Sequence, residues 1–371
     1  MYVHIPFCVR KCYYCDFAAG PAPEAIRQQY VDRLVDEIRG HAWRGAAART
    51  LYFGGGTPSE LSTPQLARIT EAARETFRFS EGAEWSIECN PGTVSVESFT
   101  AIREMGFNRV SLGLQTFHDA HLKALGRIHT AAESVEAIEA AQQAGIPRLS
   151  LDLIFCLPGQ TLEEWRSDVE RALSFGAEHL SLYNLTIEQQ TEFGRRYRAG
   201  LLALPDEDLS ADMYEWVIDR LTSHGFEQYE VSNFARPGAE CRHNQTYWRG
   251  EPFLGLGLGA ASYAEGLRWG NTRSMQRYLA TACRPQGPER AWEERLEVRE
   301  ALGEAMMVGL RTREGISVGE LSRRFGLDVE ALHGAVLREC REDGLLEPYG
   351  DRLRLTRRGI MLANAVCERF L

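Results

Sequence analysis

Three cysteines near the start of the chain have the spacing of an iron–sulfur site. Cys8, Cys12 and Cys15 are spaced C-x3-C-x2-C, directly after the short apolar run 2–5. Three thiolates in one loop can bind three irons of a [4Fe–4S] cube and leave the fourth iron without a protein ligand. An iron with an open position can bind a small molecule and act on it, whereas a fully ligated cluster mainly transfers electrons. The spacing therefore predicts a reactive cluster.

Other uses of clustered cysteines fit this chain less well. Structural zinc sites normally have four ligands in paired knuckles, and no second knuckle follows within about the next sixty residues. The odd number of cysteines and the absence of an apolar leader disfavour a disulfide, and they lead us to expect a cytoplasmic protein. Inert core cysteines are not expected in a loop as polar as this one, which includes Arg10, Lys11 and Asp16.

The sequence predicts an α/β domain that would position this loop. From residue 1 to about 187, six short β-rich runs alternate with helical patterns. Six successive β–α units imply a parallel sheet with right-handed crossovers, curled into a partial barrel. In such barrels, the chemistry lies on the loops that follow the carboxyl ends of the strands. The predicted strands are Tyr2–Ile5, Leu51–Phe53, Trp85–Cys89, Val110–Gln115, Leu149–Phe155 and His179–Asn184.

Glycine and polar residues stand at the ends of several predicted strands. The segment G-G-G-T-P at 54–58 follows the second strand, Glu88 and Asn90 end the third, and Gln115 ends the fourth. A barrel rim needs only turns, so polar residues on consecutive strands are hard to explain by folding alone. We therefore predict that they form one site at the rim of the barrel.

The remainder of the chain divides into two further parts. A helical pattern at 206–225 precedes a loop-rich stretch, and the Pro/Gly-containing run 284–288 indicates a boundary. Three helical patterns and a hairpin turning at Gly350-Asp351 then predict a mainly helical, winged-helix-like module. The predicted domains are 1–200, 201–288 and 289–371.

The composition is that of an ordinary globular protein, with 44% hydrophobic and 25% charged residues. No apolar run is long enough to span a bilayer. The formal charge of −10 disfavours nucleic acid as a partner, because phosphate contacts need a basic surface. A cluster-containing transcription regulator that binds DNA through the winged helix is therefore the least favoured hypothesis.

A series of motifs in fixed order resembles one known family. They are Y-x-H-I-P-F-C-x3-C-x2-C, G-G-G-T-P, I-E-C-N-P, S-L-G-L-Q-T-F, L-G-R, D-L-I-x-x-L-P-G-Q-T and H-N-x-x-Y-W. This order resembles the radical S-adenosylmethionine (SAM) proteins related to oxygen-independent coproporphyrinogen III oxidase. The resemblance covers nearly the whole chain and implies a partial (β/α)6 radical SAM barrel with the helical module behind it. The oxidases carry a further cysteine where this chain has Phe17, so the chain looks most like the haem chaperone branch.

The resemblance assigns Cys8, Cys12 and Cys15 to a [4Fe–4S] cluster, with SAM chelating the open iron through its amino and carboxylate groups. Glycines would let the ligand approach closely, and carboxylates suit a cationic sulfonium and a ribose diol. Some of the matching oxidase positions serve a second cofactor molecule, which leaves three of these assignments open: Gln115, Arg127 and Asp152. The implied SAM residues are Tyr2, Tyr14, Gly55, Gly56, Thr57, Glu88, Gln115, Arg127 and Asp152.

The motif H-N-x-x-Y-W at 243–248 is associated with haem binding in the chaperone branch. An imidazole is a common axial ligand of haem iron, and aromatic rings offer apolar faces to a macrocycle. The residues alone favour a structural loop with packed aromatics, whereas the resemblance favours haem. Cys241 is a further candidate ligand or attachment point, although the chain has no C-x-x-C-H. The implied haem-binding residues are His243, Asn244, Tyr247 and Trp248.

Two functions follow from the resemblance. The first is a haem chaperone that transfers haem to an acceptor protein, respiratory and membrane-associated, with a [4Fe–4S] cluster and SAM as cofactors. An electron donor to the cluster would be a second protein partner. The alternative is an oxygen-independent coproporphyrinogen III oxidase, which decarboxylates propionates by radical chemistry. Because of Phe17, coproporphyrinogen dehydrogenase activity is not expected.

Overall fold

The computed structural model describes residues 1–284 and 287–371, so the predicted boundary at 284–288 lies partly outside the described residues. The strands are β1 Tyr2–Ile5, β2 Ala47–Gly55, β3 Arg78–Cys89, β4 Arg109–Gln115, β5 Arg148–Phe155, β6 His179–Asn184, β7 Glu227–Gln228, β8 Asn233–Ala235, β9 Gly255–Leu256, β10 Ala261–Ala264, β11 Leu267–Asn271, β12 Arg290–Arg295, β13 Leu346–Tyr349 and β14 Arg352–Leu355. The helices are α1 Glu24–Gly40, α2 Thr63–Thr76, α3 Val96–Glu104, α4 Asp119–Leu125, α5 Ala131–Gln143, α6 Leu162–Ser174, α7 Glu192–Arg198, α8 Glu207–Ser223, α9 Arg242–Trp248, α10 Met275–Thr281, α11 Val298–Leu310, α12 Val318–Phe325, α13 Val329–Glu342, α14 Arg357–Met361 and α15 Ala363–Cys367.

Nine of the described strands form one sheet, in the order β7-β8-β6-β5-β4-β3-β2-β1-β9. Strands β1 to β6 run parallel to their neighbours, as do β1 and β9, whereas β8 is antiparallel to β6. Within the described residues β7 and β9 are the two edges, so the sheet forms a partial barrel. The six predicted strands and their parallel order are thus confirmed.

Helices α2, α3, α5 and α6 begin at capping boxes, in which the capping side chain and a residue three positions later satisfy free backbone N–H groups. The capping residues are Ser62, Ser95, Thr130 and Thr161. Each box sets where a helix starts after its strand, and so fixes the length of the loops at the barrel rim.

Strands β1 to β6 alternate between apolar and polar side chains. In β4, Leu112 and Leu114 belong to the hydrophobic core beneath the helices, whereas Ser111, Gly113 and Gln115 line a cavity on the opposite face. Because side chains in a strand point alternately to opposite faces, this pattern places polar groups inside the barrel. The residues on this face are Tyr2, His4, Thr50, Tyr52, Gly54, Glu84, Ser86, Glu88, Arg109, Ser111, Gly113, Gln115, Ser150, Asp152, His179, Ser181 and Tyr183.

The C-terminal part is mainly helical and has a hydrophobic core of its own. Helices α11 to α13 are followed by the hairpin β13–β14, which turns at Gly350-Asp351 as predicted. The core residues of 302–370 form a cluster distinct from that of the barrel, while buried residues of 213–282 belong to the barrel core. The domain boundaries remain predictions. None of the described helices is both long and apolar enough to cross a membrane.

Candidate cofactor site

Cys8, Cys12 and Cys15 lie in the loop after β1 and line a cavity of about 610 Å³ at the carboxyl ends of the strands. Thr57 Oγ1 donates a hydrogen bond to Cys8 Sγ (3.5 Å), and Arg127 Nη1 donates to Cys12 Sγ (3.6 Å). Burial raises the pKa of the Cys8 and Cys15 thiols. At Cys8 the hydrogen bond from Thr57 opposes this effect on the pKa and favours the thiolate, which is the form that binds metal.

The cysteine loop fits a cluster better than a single ion. In the described parts of the chain, no three His, Cys, Asp or Glu side chains are arranged to hold one metal ion. A [4Fe–4S] cube does not require such convergence, because each cysteine binds a different iron. Three cysteines share one cavity with two hydrogen-bond donors to sulfur, so the donor set fits the cube.

Arg127 and Asn90 connect the cysteine loop to the barrel rim. Arg127 Nη2 donates to Asn90 Oδ1 (2.6 Å) and to the Gly113 carbonyl (2.9 Å). Asn90 Nδ2 in turn donates to Thr57 Oγ1 (2.6 Å). These bonds join the segments that follow β2, β3 and β4, so Asn90, at the end of β3, orients groups that belong to the strands on either side of it. The sequence placed Asn90 at the rim, but did not predict this role.

Glu88 holds the glycine loop in place from inside the barrel. Its Oε1 accepts a hydrogen bond from Tyr52 OH (2.8 Å), and its Oε2 accepts one from the Gly55 backbone N–H (3.1 Å). Burial raises the pKa of Glu88 to about 7, the nearby charge of Asp152 acts in the same direction, and the bond from Tyr52 opposes both. The carboxyl group therefore exists in both protonation states near neutral pH.

Glu88→Gln is expected to change how stability depends on pH. The pKa of Glu88 is about 7 in the folded protein against an ordinary 4.5, so the stability that its proton supplies is present below about pH 4.5 and lost as pH rises through 7. The amide does not titrate. The free energy of unfolding of the variant, minus that of the wild type, should therefore increase between about pH 5 and pH 8. Urea unfolding at several pH values measures this difference, and a flat difference would contradict the assignment.

Gly55 adopts a backbone conformation that a larger residue would strain. Its φ is 108°, and a Cβ atom built there would lie 2.3 Å from His4 Cε1. We expect Gly55→Ala to destabilise the fold by about 1–3 kcal/mol and to weaken SAM binding, because the loop must shift. Gly20→Ala is the matched control, since a Cβ there meets nothing within 4 Å. Equal effects of the two substitutions on SAM affinity would refute this prediction.

Asp152 and Gln115 line the same cavity. The Asp152 carboxylate accepts hydrogen bonds from Ser111 Oγ (2.8 and 2.9 Å) and from Ser150 Oγ (3.3 Å), and burial raises its pKa. Gln115 has a φ of 66°, and its buried Oε1 has no hydrogen-bond partner among the described residues. Strained backbone and an unpaired amide oxygen at a cavity wall are features of ligand-binding positions.

The structure brings seven of the nine predicted SAM residues to the wall of the cysteine cavity: Tyr14, Gly56, Thr57, Glu88, Gln115, Arg127 and Asp152. Gly55 lies behind this wall and contributes its N–H to Glu88, whereas Tyr2 lines a second cavity and contacts His4 Nδ1 through its hydroxyl (3.0 Å). The prediction did not include Tyr52, Ser111 and Tyr183. Their inward positions follow from the period-two alternation of their strands, which is the feature that could have identified them.

The second cavity, of about 220 Å³, lies in the same barrel interior. Its wall includes Tyr2, Tyr52 and three residues of the H-N-x-x-Y-W segment, namely His243, Asn244 and Tyr247. Glu88, Ser111 and Tyr183 line both cavities. The motif therefore faces the interior that also holds the cysteine cavity. Trp248 instead lines a separate cleft against the C-terminal module.

His243 is enclosed by protein, with only 1% of its surface exposed. Its Nδ1 is hydrogen-bonded to Thr50 Oγ1 (2.8 Å) and its Nε2 to Tyr247 OH (2.9 Å). The imidazole stacks on the Tyr52 ring with centroids 4.8 Å apart. Burial lowers the pKa of His243 well below its usual range, so the ring is neutral. Coordination of iron would require one of these two hydrogen bonds to break.

Cys241, the other candidate haem ligand, is buried beside an acidic side chain. Its Sγ lies 3.6 Å from Glu84 Oε1, and burial raises its pKa to about 12, with the Glu84 charge acting in the same direction. The thiol is therefore protonated in this conformation, which disfavours it as a thiolate ligand.

Comparison with known proteins identifies two family segments and full-length relatives. The Radical SAM superfamily matches residues 2–172, and the HemN C-terminal domain matches residues 296–362. The heme chaperone HemW of Lactococcus lactis is 40% identical over 370 residues, which cover 100% of this chain and 96% of the relative. The heme chaperone HemW of Bacillus subtilis is 36% identical over 373 residues, covering 100% of this chain and 98% of the relative.

A solved structure has the same fold. Coproporphyrinogen III oxidase (HemN) from Escherichia coli, described as a radical SAM enzyme, superposes with a TM-score of 0.85 over 100% of this chain and 89% of that chain. At 24% identity, this likeness shows the fold alone. The family assignment depends instead on the full-length identity to the chaperones. On that identity, the chain belongs to the heme chaperone HemW family of radical SAM proteins.

Proposed function

We propose that this protein is a haem chaperone, which binds haem and transfers it to haem-requiring respiratory proteins. The observation that carries this proposal is the position of the motif helix α9 in the chain's structure. His243 and Tyr247 face the same barrel interior as Glu88, so the proposed haem ligand and the cofactor cavity are direct neighbours. Full-length relatives that are named heme chaperones support the same function.

In this proposal the cysteine loop holds a [4Fe–4S] cluster and the adjoining wall holds SAM. Cys8, Cys12 and Cys15 would ligate three irons, and Arg127 would stabilise the bound sulfur through its contact with Cys12. Glu88 would orient the glycine loop against the ligand. When bound, the cluster and SAM supply one-electron chemistry that the protein side chains lack.

The haem itself would be bound by the inward residues of α9. We propose His243 as the axial ligand, released from Tyr247 when haem enters, with Asn244 and Tyr247 beside it. Trp248 lines a cleft with the C-terminal module, where Arg324 donates hydrogen bonds to the carbonyls of Arg249 (3.1 Å) and Gly250 (2.6 Å). A movement of α9 would therefore displace groups that contact the C-terminal module. These contacts support a role for that module in haem access or acceptor docking.

A haem titration followed at the Soret band tests the function. The wild type should saturate at about one haem per chain, and His243→Ala should bind at least about tenfold more weakly, because an axial ligand is lost. His224→Ala is the matched control, since His224 caps α8 and contacts no residue of the motif.

The alternative function has its own assay. Under anaerobic conditions, reconstituted protein should form no protoporphyrinogen from coproporphyrinogen III. Phe17, 63% exposed at the cavity mouth, stands where the oxidases carry a further cysteine. Sustained turnover in this assay, or the absence of stoichiometric haem binding, would make the catalytic radical enzyme the better account.

A further inference from the structure

An unbroken series of contacts runs from the H-N-x-x-Y-W helix to the glycine loop. The Tyr247 hydroxyl lies 2.9 Å from His243 Nε2, and the His243 ring stacks on Tyr52 with an angle of 16° between the planes. The Tyr52 hydroxyl donates to one oxygen of Glu88 (2.8 Å), and the other oxygen accepts from the Gly55 N–H (3.1 Å). Tyr52 is the residue that touches both halves of this series.

The groups that would bind haem and SAM already make hydrogen bonds within the protein. Both ring nitrogens of His243 are hydrogen-bonded, so an iron atom can bind only after one of those bonds breaks. Glu88 has one oxygen on Tyr52 and one on Gly55, so a ligand that recruits its carboxylate must displace at least one of them. Haem therefore has to release a ring that stacks on Tyr52, and SAM has to move a carboxylate that accepts a hydrogen bond from Tyr52.

Haem binding and SAM binding are cooperative because both disturb groups that Tyr52 contacts, and the free-energy cost of that disturbance is shared. If SAM draws Glu88 away, Tyr52 loses its hydrogen bond and no longer fixes the ring that stacks on His243. The His243 ring is then held less firmly, so haem can displace it at a lower free-energy cost, and the same reasoning holds when haem binds first. By thermodynamic linkage, each ligand must raise the affinity for the other by the same factor.

We infer that Tyr52 is a positioning residue that couples haem binding at His243 to SAM binding at the Gly55 loop. This inference rests on the proposed function and adds to it a direct energetic link between the two ligands. It requires no change in the cluster cysteines and no long-range pathway, because every step is a direct contact within one barrel interior.

The test measures haem affinity with and without saturating SAM, on cluster-reconstituted protein. In the wild type, SAM should tighten haem binding by about fivefold or more, the lower end of typical coupling. Tyr52→Phe keeps the stacked ring but removes the hydrogen bond to Glu88, so this factor should fall to about one. Tyr229→Phe is the matched control. It removes another hydroxyl, bonded to His179 Nε2 (2.7 Å) and to the Cys241 N–H (3.4 Å), without removing any contact between Tyr247, His243, Tyr52, Glu88 and Gly55.

The outcomes separate the inference from the function. If the wild type binds haem with the same affinity in the presence and absence of SAM, the coupling is overturned but the proposed function is not. If the wild type does not bind haem stoichiometrically, the proposed function itself is contradicted. Coupling that survives Tyr52→Phe, or that is lost equally in Tyr229→Phe, also overturns the inference. If Tyr52→Phe does not fold, Glu88→Gln breaks the series from the other side. The amide of the variant has one oxygen in place of two, so it can keep the hydrogen bond from Tyr52 or the one from Gly55 but not both. The coupling between haem and SAM should therefore again fall.

Discussion

Cys12→Ala is expected to remove the iron–sulfur cluster and leave a folded barrel. Cys12 lies in the middle of the cysteine loop, and Arg127 donates to its sulfur (3.6 Å). Two remaining cysteines cannot anchor three irons, so bound iron should fall from about four per chain to well below one, with loss of the iron–thiolate absorption. SAM binding should be lost as well, because the open iron is its proposed anchor. Iron analysis and visible spectra of anaerobically reconstituted protein measure this result.

A second cysteine provides the control for this experiment. Cys283 is exposed and does not line the cysteine cavity, so Cys283→Ala should reconstitute like the wild type. The far-UV circular dichroism of both variants should match the wild type, because the loop lies outside the hydrophobic core of the barrel. A Cys12→Ala protein that still takes up four irons would refute the ligand assignment. Loss of secondary structure would point to misfolding instead.

Arg109→Met is expected to lower the free energy of unfolding by about 3–5 kcal/mol. The Arg109 Nε and Glu84 Oε2 atoms lie 3.1 Å apart, and the two side chains are only 2% and 1% exposed. Removing one partner of a buried ion pair leaves an uncompensated charge, which is among the largest single-residue effects on stability. Arg109 Nη2 also donates to the carbonyls of Ala239 (2.7 Å) and Glu240 (3.0 Å), next to the start of α9, so the motif helix loses support.

The double variant Arg109→Met with Glu84→Gln identifies the cause. It removes both charges while leaving an oxygen that can still accept from the His243 N–H, which now bonds to Glu84 Oε1 at 3.0 Å. If the buried charge is responsible, the double variant should be more stable than Arg109→Met alone. Urea unfolding of the three proteins measures the difference. A single variant that loses less than about 1 kcal/mol would show that Glu84 is compensated by other groups.

The sheet was predictable because its pattern is local. Each of the six parallel strands carries a β-rich run long enough to be recognised, and capping residues such as Thr161 mark the following helices. The rim residues could be assigned to one site because parallel strands end at the same edge. Strands β7 and β9 have two residues each, which is too short for any periodic pattern, and they were not predicted.

The environment of the H-N-x-x-Y-W residues was not predictable from their own sequence. Whether His243 faces solvent or the barrel depends on Thr50 and Tyr52, which lie almost two hundred residues earlier in the chain. The left-handed conformation of Gln115 is likewise imposed by the rim and not by the residue type. The untested assignments of SAM and haem residues remain predictions, although the structure places most of them on two adjoining cavities.

The polar inner face of the barrel has a consequence for how this protein can change over evolution. The same strands carry the hydrophobic core on their outer face, where Leu112 and Leu114 pack beneath the helices. Apart from the buried Arg109–Glu84 pair on the inner face, selection on folding therefore acts mainly on one set of alternate positions, and selection on ligands acts on the other. Substitutions at inward positions such as Ser111 or Ser181 can alter what the interior accepts while the packed layer is preserved. The alternation thus lets one scaffold acquire new cargo without first finding a new core.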